Sequence, residues 1–290
     1  MVLRDLSPTV SVIIPTYNRK PTLKRAIDSV LKQSFQDFAL WIVDDGSQDG
    51  TEDWLFQAYP EALATKKIFY IWQAQRGVSA ARNRALYQVS SPWVAFLDSD
   101  DEWLPQKLSA QMALAQAPDA PPLIHSDEIW IRNGVRVNPM KKHQKQGGRI
   151  FRQCLPLCCI SPSTALIRTQ FLQELGGFNE TFPVCEDYEL WLKICSGHSV
   201  GYIDQPLIIK YGGHSDQLSR QLKAMDYWRV KALINHLKNP DLSPEEHQEL
   251  RHTLLYKCEI LLKGYIKHNN LQDYQEVLSW RDQANQRASF

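Results

Sequence analysis

The chain has 290 residues, which is long enough for one large domain with an addition or for two domains. Its 33 Lys and Arg residues nearly balance 32 Asp and Glu residues, and the formal charge of +1 gives no overall field that would favour nucleic acid as a partner. Six cysteines lack paired metal-ligand spacing, no signal-peptide pattern opens the chain, and no apolar stretch approaches the roughly 18 to 20 residues that span a bilayer. We therefore expect free thiols and a cytoplasmic protein whose contact with the inner face of the membrane, if any, is peripheral.

Four apolar segments in the first third of the chain each precede a segment with helical periodicity. The predicted strands are residues 10–14, 38–43, 68–72 and 93–97. Strands that alternate with helices predict an α/β fold with a mainly parallel, doubly wound sheet, so the loops after the strands meet at one edge, where ligands bind. Neither GxGxxG nor GxxxxGK[ST] follows a strand, which disfavours a dinucleotide dehydrogenase and a P-loop nucleotidase.

The fourth strand ends in the acidic sequence FLDSDDEW. If the backbone stays extended there, Asp98 and Asp100 face the same way and Asp101 faces away from them. Two carboxylates on a rigid strand end suit Mg²⁺ or Mn²⁺, which prefer oxygen ligands and keep positions open for substrate phosphates. An isolated DxD is more often an acidic surface turn, so the surroundings decide between the two interpretations.

A Pro- and Ala-rich connection follows the helix expected near residues 105–115. It divides the first 222 residues into halves of about 1–116 and 117–222, and a helical C-terminal appendage at 223–290, with a helix start at Ser243, completes the predicted organisation. In the second half, residues 129–137 predict a hairpin.

The basic segment 141–152 lacks periodicity and is interpreted as a solvated loop, with the screening of phosphates as the alternative. Glu186 and Asp187 open an amphipathic helix, where the helix dipole favours their ionised forms and helix stabilisation alone would explain them. His214 follows two glycines and is available as a ligand, although a loop histidine is usually solvated.

Five motifs in one order give the sequence a resemblance to glycosyltransferase family 2, the inverting transferases of the type A nucleotide-diphospho-sugar transferase fold (GT-A). They are VSVIIPTYNR, IVDDGSQDGT, QRGVSAARNRAL, FLDSDDEW and CEDYELWLKI. The resemblance covers about residues 10–215. The tail beyond about residue 222 lies outside it, and the segment 141–152 has no counterpart in it.

The resemblance implies a site for a nucleotide-diphospho-sugar, expected to be a UDP-sugar, and for Mn²⁺ or Mg²⁺. Pro15, Thr16, Tyr17 and Asp45 would bind the nucleoside, Arg82 and Asn83 the diphosphate or sugar, Asp98 and Ser99 the ribose side, and Asp100 and His214 the metal. A uracil or thymine ring suits this set, because its imide proton can bind a carboxylate and its flat face can stack on an aromatic ring.

The implied reaction is a single displacement at the anomeric carbon of the sugar. Asp187 would take the proton from the attacking hydroxyl of a saccharide, lipid-linked or protein acceptor, with Glu186 as the less suitable base. From the sequence, a like-charged neighbour raises the pKa of one member of this pair and the helix N-terminus lowers it, so the balance stays open.

Two other classes of protein compete with this interpretation. A catalytically silent sugar-nucleotide binding module would keep Tyr17, Asp45 and Asp100 but would not need the base at Asp187. A nucleotidyltransferase usually needs a glycine-rich basic loop after the first strand, and PTYNRK has no glycine.

Overall fold

A computed structural model describes residues 7–138, 140–213 and 225–286. The first half of the chain contains β1 (Val10–Thr16), α1 (Lys20–Leu31), β2 (Phe38–Asp44), α2 (Thr51–Ala58), α3 (Pro60–Ala64), β3 (Ile68–Trp72), α4 (Val78–Leu86), β4 (Trp93–Phe96), β5 (Glu102–Trp103) and α5 (Lys107–Ala115). The second half contains β6 (Leu123–Arg132), β7 (Val135–Val137), α6 (Phe151–Cys154), β8 (Leu166–Arg168), α7 (Thr169–Glu174), α8 (Glu186–Gly197) and β9 (Gly201–Gly212), with short 3-10 helices at Lys141–His143 and Pro162–Thr164. The tail contains α9 (Met225–His236), α10 (Pro244–Lys267) and α11 (Leu271–Gln286).

The strands of the described residues form one mixed sheet in the order β3-β2-β1-β4-β8-β6-β9-β5, with β7 paired to β6. The strands β1 to β4 are parallel to one another, as the alternation of strands and helices predicts. The second half adds antiparallel pairs on both sides of β8, and β6 and β9 are parallel. The predicted α/β class is confirmed.

Each central strand is buried on both faces, which explains its continuous apolar sequence. Successive residues of β1 alternate between two hydrophobic clusters: Ile13 belongs to one, and Val12 and Ile14 belong to the other. The face of α1 that carries Leu23 and Ile27 covers the second cluster. The sheet therefore has a helical layer on each side and one edge left for binding.

The three tail helices pack on the first cluster. Val230, Leu254 and Cys258 are fully buried there, together with Tyr188 of α8. The predicted helix start is confirmed, because Ser243 forms a reciprocal capping box with Glu246. The tail thus shares a hydrophobic core with the sheet. Among the described residues, no helix is both long enough and apolar enough to span a membrane.

The segment 141–152 is exposed over most of its length, as expected of a solvated loop, but Lys145 departs from that expectation. The side chain of Lys145 is only 5% exposed and lies 3.0 Å from Oε2 of Glu128 on β6. Gly148 bridges to Val200, which ties the segment to the strand region before β9. A buried acid on β6 explains the difference, because burying it requires a cation, and the local sequence pattern does not show that partner. The hairpin at 129–137 is confirmed, although β6 begins earlier, at Leu123.

The shared core predicts that a cavity in the tail weakens the whole protein. We expect Leu254→Ala to lower the free energy of unfolding by about 2 to 5 kcal/mol, because Leu254 is fully buried. Urea denaturation followed by circular dichroism measures this change. The matched control is Ile260→Ala on the exposed face of the same helix, which should cost about 0.5 kcal/mol or less. A separate, unchanged transition for the sheet would contradict the shared core.

Candidate active site

The site lies where β1, β2 and β4 end at a common edge. Pro15 and Thr16 close β1 and are buried, and the amide of Asp45 donates to the carbonyl of Thr16 at 2.8 Å. Tyr17 follows β1 with 40% of its surface exposed. This edge therefore combines buried backbone groups, a carboxylate and an accessible aromatic face.

Asp45 holds the loop that leads from β3 to α4. Its Oδ1 accepts from Nε2 of Gln73 at 2.7 Å and from the amide of Arg76 at 2.9 Å, and its Oδ2 accepts from the amide of Gly77 at 2.7 Å. Gly77 has a φ of +94°, which favours glycine at this turn. A carboxylate offers about four acceptor positions, and three are filled here, while Asp45 as a whole is 4% exposed.

Residues 98–101 form a turn and not the extended segment that we expected. The amide of Asp101 donates to the carbonyl of Asp98 at 3.0 Å. The buried carboxylate of Asp101 accepts from the Ser163 hydroxyl at 2.8 Å and from the Tyr211 amide at 3.1 Å. These two partners make the turn the stable form. The expectation that alternation along a strand orients these acids was wrong, and Asp101 instead anchors the turn to β9.

Asp98 and Asp100 remain partly exposed on this turn, whereas Ser99 is 8% exposed. The amide of Asp98 donates to the hydroxyl of Ser163 at 3.1 Å. The guanidinium of Arg25 donates to the carbonyl of Asp100 and lies over the ring of Tyr211. The backbone that carries the two acids is therefore fixed from both sides.

Arg82 joins the two halves of the chain. Its Nη2 lies 2.8 Å from Oδ1 of Asp98, and its Nη1 lies 2.7 Å from Oε1 of Glu186 on α8, while its side chain is 3% exposed. Burial opposes the charge, but the two carboxylates raise the pKa of Arg82. A planar guanidinium with several donors can span two acids in this way, whereas a lysine ammonium carries a single point charge.

Asn83 points toward the segment before α8. Its Nδ2 donates to the carbonyl of Phe178 at 2.8 Å and to Oε1 of Glu180 at 3.0 Å, and its Oδ1 accepts from the Phe178 amide at 2.9 Å. Gly177, with a φ of +67°, passes so close that an added Cβ would lie 2.5 Å from Oδ1 of Asn83. The amide of Asn83 thus fixes the approach to α8.

The two acids at the start of α8 differ in burial: Glu186 is buried and Asp187 is partly exposed. Burial and the charge of Asp187 raise the pKa of Glu186 to about 7, against the opposing effect of Arg82. Asp187 is partly exposed, and its Oδ1 accepts from the amide of Tyr188 at 2.7 Å while its Oδ2 accepts from the thiol of Cys158 at 3.3 Å. For Glu186, the repulsion and burial outweigh the helix dipole.

Sequence reasoning missed Lys210 on β9. Although burial lowers its pKa, the charges of Asp101, Glu128, Asp98 and Asp187 raise it above the usual value. Its Nζ also donates to the Ser161 hydroxyl at 3.3 Å. The local sequence LIIKYGG shows a lysine inside an apolar strand. This is the one signal that could have identified Lys210 as a site residue, because a lysine that is buried requires acidic partners.

Across residues 7–138, 140–213 and 225–286, no three His, Cys, Asp or Glu side chains form a cluster that could hold a metal ion alone. His214 lies outside the described residues. Mg²⁺ and similar ions commonly use one or two protein carboxylates together with waters and substrate phosphates. The turn that carries Asp98 and Asp100 fits such an ion when a diphosphate supplies further ligands.

Comparison with known families shows that the protein is a glycosyltransferase. A model of the family described as glycosyl transferase family 2 matches residues 11–176, more than half of the chain, and the chain belongs to this family. The resemblance seen in the motifs is therefore confirmed.

Two relatives show how far the similarity extends. A glycosyltransferase of Rickettsia prowazekii is 28% identical over 298 residues, which cover 96% of this chain and 86% of that protein. The enzyme UDP-Glc:alpha-D-GlcNAc-diphosphoundecaprenol beta-1,3-glucosyltransferase WfgD of Escherichia coli is 32% identical over 195 residues, which cover 67% of this chain and 73% of that protein. Several other Rickettsia relatives are longer: matched regions cover 32%, 36% and 35% of three of them.

Two solved structures support the fold. S. aureus TarS 1-349 in complex with UDP-GlcNAc has a TM-score of 0.71 at 21% identity, over 95% of this chain and 81% of that one. A mannosyltransferase of Pyrobaculum calidifontis in complex with GDP-Man and Mn2+ has a TM-score of 0.63 at 18% identity, over 96% and 84%. The GT-A fold, with a helical tail, is thereby established.

The buried position of Arg82 predicts a large effect of its removal. We expect Arg82→Met to lower the free energy of unfolding by about 3 to 5 kcal/mol, because it leaves two acids without their partner. Urea denaturation measures the loss. Arg76→Met is the control: Arg76 also pairs with an acid, Glu180 at 2.9 Å, but the pair is exposed and worth about 1 kcal/mol or less. Equal losses in the two variants would contradict this structural role.

The raised pKa of Glu186 predicts a pH dependence of stability. Between the usual value of 4.5 and about 7, the folded protein holds a proton that the unfolded chain has lost. The stability that this proton contributes is therefore fully present below about pH 4.5 and is lost as the pH rises through 7. Relative to Glu186→Gln, we expect the wild type to lose about 1 to 3 kcal/mol between pH 5 and 8, measured by urea denaturation. A constant difference across this range would refute the pKa shift.

Proposed function

We propose that the protein is a metal-dependent inverting glycosyltransferase that moves a sugar from a UDP-sugar to a hydroxyl of a saccharide, lipid-linked or protein acceptor. The observation that carries the proposal is the Arg82 bridge, which holds the acid turn after β4 beside the acid pair of α8. The turn that would bind the donor and the helix end that would carry the base are thus joined by one buried cation.

Tyr17 and Asp45 support a nucleoside site. The exposed ring of Tyr17 offers a face for stacking, and the remaining acceptor position of Asp45 suits the imide proton of uracil. Pro15 and Thr16 would contribute backbone groups, and Ser99 with Asp98 would lie on the ribose side. The relatives add support for UDP, because one is named as a UDP-Glc transferase and one structure holds UDP-GlcNAc.

Arg82 would lie near the diphosphate or sugar, with its two Nη groups held by Asp98 and Glu186, and Asn83 would keep the loop before α8 in place. Asp100, with Asp98 and His214, would hold Mn²⁺ or Mg²⁺. Once bound, such an ion supplies positive charge that neutralises the departing diphosphate. The mannosyltransferase structure solved with Mn2+ is compatible with this proposal.

Asp187 would act as the base, because it is partly exposed whereas Glu186 is buried and bound to Arg82. The Tyr188 amide and the Cys158 thiol orient its carboxylate. The proton of the acceptor hydroxyl would pass to Asp187 as the oxygen attacks the anomeric carbon.

We also propose the division of the chain into a glycosyltransferase domain at 1–222, with a nucleotide-sugar half at about 1–116 and an acceptor half at about 117–222, and a helical appendage at 223–290. A cytoplasmic location, with peripheral contact at the inner face of the membrane, is proposed as well. Six unpaired cysteines support a reducing compartment.

Nucleotide binding can be measured by a thermal-shift panel of UDP, GDP, dTDP and CMP, each with and without Mn²⁺. We expect UDP with Mn²⁺ to give the largest rise in Tm. A ligand that binds only the folded state, at 100 times its Kd, raises the free energy of unfolding by about 2.7 kcal/mol. The shift should vanish in Asp100→Ala and persist in Asp119→Ala, an acid outside the site. A response to UDP that is equal in both variants would argue against the metal role of Asp100.

The base can be tested with Asp187→Asn, which keeps the shape of the side chain and removes its capacity to accept a proton. We expect the UDP thermal shift to stay nearly unchanged and sugar transfer to fall by about 10²-fold or more. Transfer is measured as release of UDP in the presence of candidate acceptors. Glu186→Gln is the comparison: if it abolishes transfer and Asp187→Asn does not, the base is Glu186.

A further inference from the structure

Positive charge is concentrated in one part of a chain that is nearly neutral overall. No Asp or Glu lies between Glu128 and Glu174, whereas eight basic residues do: Arg132, Arg136, Lys141, Lys142, Lys145, Arg149, Arg152 and Arg168. Like charges at this density repel one another unless each finds a partner. The partners of these residues therefore indicate which of them are structural.

Four of the eight have structural partners. Lys145 pairs with Glu128, and Arg149 and Arg152 pair with Glu246 and Glu249 of α10. Arg168 lies over the ring of Trp93 at 4.7 Å and donates to a backbone carbonyl. These four cations serve the packing of the fold.

The other four, Arg132, Arg136, Lys141 and Lys142, form what we call the basic surface. All four are exposed, and no acidic side chain in the described part of the chain forms an ion pair with them. They lie on the β6–β7 hairpin and on the 3-10 helix that follows it. Their charge is therefore available to an external anion.

An aromatic platform supports the basic surface. The indole of Trp130 donates to Oε1 of Glu128 at 2.7 Å, which fixes the ring. Arg132 lies 5.7 Å from the centre of this ring, and the ring of His143 lies 5.2 Å from it. Burial and the nearby charges of Lys142 and Arg132 lower the pKa of His143. The arrangement combines a positive field with a flat apolar face.

The register of the sheet places this surface at the same edge as the acid turn. Ile124 of β6 and Ala95 of β4 both pair with Leu166 of β8, so β6 runs parallel to β4 and ends at the same edge. Asp127 lies three residues further along, at the level of Asp98. At about 3.3 Å per residue, Arg132 lies five residues and about 16 Å beyond that level. The hairpin therefore projects past the acid turn at this edge of the sheet.

We propose that the basic surface binds a phosphate group carried by the acceptor, at a distance from the hydroxyl that reacts. This inference rests on the proposed function, because it assigns the acceptor to the anionic sugars or sugar phosphates. Arginine forks and lysine ammonium groups suit phosphate oxygens, and the ring of Trp130 suits the apolar face of an adjoining sugar. The donor diphosphate would lie at the turn of Asp98 and Asp100, so the site for the donor and the site for the acceptor phosphate would be separate.

The test compares a charged ligand with a neutral one on protein saturated with UDP and Mn²⁺. Glucose 1-phosphate is the charged probe and methyl glucoside is the neutral one, and binding is followed by tryptophan fluorescence. We expect glucose 1-phosphate to bind about tenfold more tightly, and to weaken as salt rises from about 50 to about 200 mM.

Two variants with four substitutions each decide whether the basic surface is responsible. The first carries R132Q, R136Q, K141Q and K142Q, and the control carries R84Q, K238Q, K263Q and K267Q, all exposed cations elsewhere. We expect the first variant to lose about tenfold in affinity for glucose 1-phosphate and the control to match the wild type. Equal affinity in the first variant and the wild type overturns the proposal.

Vesicles test the alternative that this surface docks onto a membrane. Co-sedimentation is measured with phosphatidylcholine vesicles that contain about one third phosphatidylglycerol. If the first variant loses only vesicle binding and keeps its affinity for glucose 1-phosphate, the proposal is wrong. The UDP thermal shift on the same samples reports separately on the proposed function. If UDP does not bind, the titration is repeated without it. The comparison of the two variants then still decides whether the basic surface binds the phosphate group.

Discussion

The buried guanidinium of Arg82 is the constraint on which the site depends. It bridges Asp98 and Glu186 from a position on α4 that is 3% exposed. Without a cation between them, the partly exposed Asp98 and the largely buried Glu186 would repel each other, and Glu186 would bear the cost of desolvation alone. Because the bridge joins the turn after β4 to the first turn of α8, it fixes the distance between the parts that would bind the donor and the acceptor.

The neighbouring contacts extend this arrangement in both directions. Asp45 gathers three donors from the loop between β3 and α4, which sets the start of the helix that carries Arg82. Asn83, one residue after Arg82, holds the segment that leads into α8. One short helix thus orders the loops on both sides of the cleft, and Lys210 supplies a second cation among the acids behind it.

The positions of the acids at one edge could be predicted from the sequence, because alternating strands and helices dictate where parallel strands end. The capping box at Ser243 and the hairpin at Asn133 and Gly134 are local patterns, and they too appeared as expected. Membership of glycosyltransferase family 2 was inferred from the five motifs and not from the periodicity of apolar residues.

The contacts between distant segments could not be predicted in this way. The parallel pairing of β6 with β9 brings Glu128 and Lys210 together across about 80 residues of sequence, and no local pattern records it. The turn at Asp98 depends on Ser163, which lies in a 3-10 helix, and on Tyr211, which lies on β9. The burial of Lys145 likewise requires Glu128.

The most direct measurement is a crystal structure of the Asp187→Asn variant with UDP and Mn²⁺. We predict that the uracil stacks on Tyr17 and donates its imide proton to Asp45, that the diphosphate lies at the turn of Asp98 and Asp100, and that the Arg82 bridge is intact. Nucleotide bound away from this edge, or a bridge opened by the ligand, would contradict the proposed site.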